Sequence, residues 1–152
     1  MIDPATRSDT PSGWQRTACY ATALRRAGRT LTRIYDRALA PANLTTVQFS
    51  LLSLIDRAPH DLTLSELAEV QAMDRTTLSR NLAPLARDGL VIISPGKDRR
   101  RRTARLTPAG RDALQRARPL WQEAQERIAS ERGPARLREL MTELHALSTI
   151  DD

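Results

Sequence analysis

Residues 62–91 read LTLSELAEVQAMDRTTLSRNLAPLARDGLV, two helical patterns parted by a short turn. Thr63-x-x-Glu66 has the form of a capping box, in which a hydroxyl and a carboxylate each satisfy one backbone N–H at a helix start. Behind it Leu64, Leu67, Ala68 and Val70 are expected to face inward along a helix that ends near Ala72. After a short turn, Asp74 caps a second helix whose inward set is Leu78, Leu82 and Leu85. Pro84 lies inside that helix and gives up the bond to the Arg80 carbonyl. Gly89 stands where helices commonly end in a left-handed residue. Two short helices joined by a tight turn form a helix-turn-helix.

Working outward, Leu90–Ser94 is a β-branched run followed by the turn signal Pro95-Gly96 and an arginine cluster. Thr103–Leu106 returns as its partner, so a two-stranded hairpin follows the second helix. Thr107-Pro108 supplies an N-cap and a proline in the first helical position. A helix with Leu114, Ala117, Leu120, Trp121, Ala124 and Ile128 follows, and Gly133-Pro134 restarts another through Leu137, Leu140, Met141, Leu144 and Leu147. Upstream, Thr45-x-x-Gln48 opens a short apolar helix that stops before Ala58–Asp61. Before it, Ser12-x-x-Gln15 opens a long helix from about Gly13 to Leu39, with Tyr20, Leu24, Ala27, Leu31, Ile34 and Ala38 on one face. Residues 40–43 break that helix. The expected class is mainly α with a small β-hairpin wing. Residues 1–152 form one domain, with a winged helix-turn-helix lobe over 45–107. The helices of 13–44 and 108–150 have too little partner surface in so small a core. Two-fold pairing with a second copy would cover them, so a homodimer is expected.

Hydrophobic residues make up 40% and charged residues 28% of the 152, which is ordinary for a globular domain and too apolar for a disordered chain. No run approaches the ~18 apolar residues of a membrane span. Met1–Ser12 is polar and resembles neither a signal nor a transit peptide. One cysteine cannot form an internal disulfide. The expected location is the cytoplasm, with no membrane partner.

The formal charge is +6, and Lys97 is the only lysine among 24 basic residues. Pro95–Arg105 alone carries six bases and one acid, a net +5, which leaves +1 for the other 141 residues. A focused arginine cluster points to phosphate, since the guanidinium fork suits phosphate and narrow minor grooves. The second helix of a helix-turn-helix reads base edges with its N-terminal residues. Here these are Asp74, Arg75, Thr76, Thr77, Ser79 and Arg80. The hairpin adds Lys97, Asp98, Arg99, Arg100, Arg101 and Arg102. Asp98 is expected to bracket an arginine at the hairpin base. Double-stranded DNA is the partner these residues imply.

The order of elements, their spacing, Asp98-x-Arg100 and Leu106-Thr107-Pro108-Ala109-Gly110 together resemble the MarR family of bacterial transcriptional regulators over nearly the whole chain. The resemblance implies an obligate homodimer joined by its terminal helices, bound to a pseudo-palindromic operator, usually as a repressor. It implies DNA contacts on the second helix and on Arg100. It also implies a small effector, often phenolic or anionic, between the dimer helices and the DNA-binding lobe; Trp14 and Tyr35 are candidates to line such a pocket. Some members sense oxidants through a cysteine in the first helix, opposite a tyrosine at the Tyr35 position. Counting back from Tyr35, however, that cysteine position falls on Ala21, and two residues turn a helix by about 200°. Cys19, in the second turn of the expected helix, is then more readily a small buried hydrophobe, although Arg16 could lower its pKa.

Other classes fare worse. No nucleophile-base pair, Gly-rich phosphate loop or paired carboxylates suggest an enzyme. His60 and His145 have no partners at metal-ligand spacing, so neither a metal nor a cofactor is expected. The alternatives are a thiol-based redox regulator acting through Cys19, or a winged-helix module that binds RNA or protein without operator specificity. Aromatics at 3% disfavour single-strand RNA stacking.

Overall fold

The computed structural model describes residues 19–96, 98 and 101–150. The Ser12–Gln15 capping signature, Trp14, Arg16, Lys97, Arg99 and Arg100 lie outside them. The chain divides into two units, residues 1–33 and residues 34–152.

The long helix α1 spans Tyr20–Leu39. Cys19 sits directly ahead of it, where the sequence suggested a second-turn position; its carbonyl accepts from the Thr22 and Ala23 N–H groups at 2.9 and 3.1 Å. Within the first unit every described residue is exposed, Tyr20 at 85%. The expectation of a buried Cys19 is therefore corrected for the single chain, which leaves the thiol exposed.

The second unit holds the core. The last turn of α1 buries Leu39, and a 3₁₀ turn at Ala40–Ala42 ends in Asn43 at φ 55°. Helix α2, Thr46–Arg57, starts at the expected capping box: the Gln48 N–H donates to the Thr45 hydroxyl, and the Gln48 side chain accepts from the Thr45 N–H. It buries Phe49, Leu51, Leu52 and Ile55. The Asp36 carboxylate accepts from both the N–H and the hydroxyl of Thr46, at 2.7 and 2.6 Å, and so ties the end of α1 to the first turn of α2.

Leu62–Thr63 forms β1, and α3 covers Leu64–Val70 with the Thr63/Glu66 capping box in place; it buries Leu67 and Ala68, but Val70, expected inward, is 64% exposed at the last turn. Ala72 turns at φ 48°, and α4 runs Arg75–Arg87 from its Asp74 cap. Leu78, Leu82 and Leu85 are each 1% exposed, so the inward leucines of the sequence reading are core. Full burial of each is worth about 1.5–3 kcal/mol.

Strands β2, Val91–Pro95, and β3, Arg102–Leu106, make the hairpin, with Val91 opposite Leu106 and Pro95 opposite Arg102. The sheet has three strands rather than the expected two, in the order β1-β3-β2. Leu62 pairs with Ala104 and Thr63 with Thr103, which anchors the hairpin to the start of the helix-turn-helix. A two-residue strand shows no alternation, and its second residue doubles as the N-cap of α3. Helix α5, Pro108–Arg132, follows its Thr107 cap, and α6, Pro134–Leu147, buries no residue. Leu140, Met141, Leu147 and Ile150 are exposed beyond 45%. No single described helix is long and apolar enough to cross a membrane.

Candidate nucleic-acid interface

Helix α4 presents its N-terminal half outward. Arg75, Thr76, Thr77, Ser79 and Arg80 are exposed, and Leu78 alone in that run is buried. Thr76, Ser79 and Arg80 stand at i, i+3 and i+4, hence on one face. Ala83 extends that face by one turn and is also exposed, a residue the sequence reading passed over because it offers no polar group.

Asp74 and Thr77 hold the helix start together. The Thr77 N–H donates to one Asp74 oxygen at 2.8 Å and the Thr77 hydroxyl to the other at 2.7 Å. These bonds, led by the hydroxyl, keep the Asp74 carboxyl below its ordinary pKa. The cap leaves Arg75, Thr76, Ser79 and Arg80 as the side chains able to reach outward. Asn81 bonds back to the Thr77 carbonyl at 2.8 Å, and Arg87 pairs with Asp88 at 3.2 Å.

In the wing, the Gly96 N–H donates to the Arg101 carbonyl at 2.7 Å, and the Arg101 N–H to the Asp98 carbonyl at 2.8 Å. The Asp98 carboxylate lies 3.9 Å from the Arg101 guanidinium. Asp98 thus does bracket an arginine, but within the loop rather than at the strand base. A Cβ on Gly96 would lie 3.2 Å from the Arg101 carbonyl oxygen, so the tight loop favours glycine there. Arg101, Arg102 and Arg105 are exposed.

The helix and the wing are joined behind the interface. The Thr107 N–H donates to the Leu90 carbonyl at 3.1 Å, and its hydroxyl donates to the Gly89 carbonyl at 2.7 Å while accepting from the Gly110 N–H. Gly89, at φ 70°, turns the chain out of α4 into β2.

A second concave site lies between α2 and α5. It encloses about 580 Å³, with Phe49 and Trp121 among its walls and Arg57, Arg118, Ser50 and Ser53 around them. The two rings stack with centroids 5.6 Å apart, and Arg118 pairs with Asp56 at 2.6 Å. Trp121 belongs to the apolar stripe of α5 and packs against the core, yet it also reaches this cleft. Tyr35, the described one of the two expected pocket residues, does not line it. Its hydroxyl donates to Gln125 at 2.5 Å, and burial raises its pKa.

Among the described residues no group of three or more His, Cys, Asp or Glu is placed to hold a metal ion. The exposed Cys19 thiol has its pKa lowered, chiefly by the Thr22 backbone N–H and then that of Ala21.

Helix, turn, outward-facing helix and arginine-tipped hairpin define a winged helix-turn-helix protein. A sequence profile of the MarR family matches residues 42–101. The transcriptional regulator MosR of M. tuberculosis, solved in complex with DNA, is 41% identical, with a TM-score of 0.75, over 86% of this chain and 97% of that one. The transcriptional repressor CouR, bound to a 23-mer DNA duplex, is 27% identical, with a TM-score of 0.81, over 93% and 99% of the two chains. Another structure of CouR, bound to p-coumaroyl-CoA, aligns at 25% identity and a TM-score of 0.79 over 88% and 94%. No curated protein matches the chain. The chain belongs to the MarR family of transcriptional regulators, and the proteins it resembles are regulators rather than enzymes.

Proposed function

We propose that the chain is a homodimeric, sequence-specific repressor of the cytoplasm that binds a pseudo-palindromic operator and is released by a small ligand. Residues 45–107 are its DNA-binding lobe, and the helices of 13–44 and 108–150 form its dimer interface. The observation that carries this reading is the exposed face of Thr76, Ser79 and Arg80 on α4, fixed in place by the Asp74 cap and followed directly by the arginine-bearing hairpin. A helix of that shape enters the major groove with Arg75 and Arg80 able to fork onto guanine or phosphate. The hairpin beside it reaches the neighbouring minor groove, where Lys97 and Arg99 to Arg102 meet concentrated negative potential. The apolar residues left exposed on α1 and α6 are what a second copy would cover.

The effector would lie in the α2–α5 cleft. The Trp121 ring with Arg57 and Arg118 among the lining residues supports an anionic effector that carries an apolar group, and the relative CouR is bound to p-coumaroyl-CoA. A gel shift with DNA from upstream of the protein's own coding sequence tests the reading. Binding that survives excess random duplex supports it, and equal competition by random duplex overturns operator recognition.

A second reading makes Cys19 a thiol switch, favoured by the thiol's exposure and lowered pKa. Peroxide should then release DNA from wild type and not from Cys19→Ser. Equal release from both, or from neither, removes it.

A further inference from the structure

The first unit carries a basic surface that neither the helix-turn-helix nor the wing uses. Arg25, Arg26, Arg29 and Arg33 are all exposed on α1. At 3.6 residues per turn they fall within an arc of about 100°, along about 12 Å of helix. Tyr20, Leu24, Ala27 and Leu31 occupy the opposite side. Residues 19–35 contain no acid. Arg25/Arg29 and Arg29/Arg33 are i,i+4 like-charge pairs and Arg26/Arg29 an i,i+3 pair, all of which weaken the helix that bears them. A glutamate at position 22 or 30 would relieve the repulsion, yet both positions are threonine. The Thr30 hydroxyl accepts from the Arg33 guanidinium at 3.4 Å. Hydroxyls therefore accompany the arginines where carboxylates would neutralise them.

Arg26, Arg29, Thr30, Thr32 and Arg33 line a shallow concavity of about 530 Å³. That volume is in the range of small-molecule sites, roughly 300–1,000 Å³. We propose that this arc binds a small anion carrying two or more linked phosphates. A guanidinium fork engages two phosphate oxygens at once, and successive arginines one turn apart offer about 6 Å steps along the axis. Linked phosphates can meet several such forks together, which a single carboxylate or orthophosphate cannot. The hydroxyls of Thr30 and Thr32 flank the arc on either side and add polar groups at its edges.

The test is calorimetric titration of the full-length protein with inorganic tripolyphosphate at low ionic strength. One anion should bind per chain, and R29Q/R33Q should weaken it by about tenfold or more, as expected for the loss of two charge-assisted contacts. R101Q/R102Q in the wing should leave it within about twofold, and orthophosphate should bind far more weakly. Unchanged affinity in R29Q/R33Q, or an equal loss in the wing variant, overturns the assignment. The same R29Q/R33Q protein, checked for helix content by circular dichroism, is then titrated with duplex DNA at several salt concentrations. An unaltered salt slope supports the small-anion site. A shallower slope would make the arc a contact for DNA backbone and overturn it.

Discussion

Gly110, in the first turn of α5, lies so close to the Leu90 carbonyl that a Cβ built on it would sit 2.0 Å from the oxygen. The contact joins the exit of α4 to the start of α5, and Thr107 bonds to both sides of it. Backbone cannot yield there without moving β2. Gly110→Ala should therefore lower stability by ~1–3 kcal/mol or more, as overpacking does. The urea midpoint would fall with little change in slope; an unchanged midpoint would show that the contact relaxes freely.

Acid should loosen the two capping carboxylates. Asp74 and Glu66 both have lowered pKa values, Asp74 chiefly through the Thr77 hydroxyl and Glu66 chiefly through the Thr63 hydroxyl. A depressed folded-state pKa contributes stability that is fully present above the unfolded value and is lost as pH falls through the folded one. The unfolded values are near 3.8 for Asp74 and 4.5 for Glu66, so the loss begins below about pH 4.5 and continues beneath pH 4. Wild type should lose stability more steeply across that window than Asp74→Asn, followed by thermal melts against pH. Parallel curves would refute the role of the cap.

The two proposed DNA contacts should respond differently to mutation. Arg80→Ala should cost ~1–3 kcal/mol per half-site on the preferred duplex and relax the preference there. Arg101→Ala should weaken all duplexes alike and reduce the salt slope by up to about one unit per lost phosphate contact in each subunit. Fluorescence anisotropy on specific and random duplexes separates them. Matching losses on both DNAs from both variants would remove the assigned roles.

On the proposed pairing through the terminal helices, Leu140 and Met141, 47% and 65% exposed in the single chain, are covered by a second copy. Leu140→Glu should shift the sedimenting species from two chains towards one at micromolar concentration while the helical circular dichroism signal survives. A variant that stays dimeric would place the interface elsewhere.

Much of this was legible in the sequence because it was written in local chemistry. The capping boxes at Thr45 and Thr63, the Asp74 cap and the 78/82/85 leucines all act within one or two turns, and each is found where the spacing put it. What escaped was non-local or too short. Strand β1 exists only because Ala104 and Thr103 lie beside Leu62 and Thr63 in space. The Asp36–Thr46 tie and the Gly110–Leu90 approach likewise leave no periodic trace. Cys19 reads as a core hydrophobe from its residue type, but it shares the exposure of every described residue in the first unit, for which the single chain supplies no packing partner. The cleft beside Trp121 could not be told from core, because one stacked ring serves both.

Whether two copies read a divided site is answered by in vitro selection from a random duplex library. The expected result is enrichment of an inverted repeat with half-site centres about 10 bp apart or a multiple of that, lost from the selected pool when Arg80→Ala protein is used. A pool that stays random, or one that converges on an undivided single site, would contradict it.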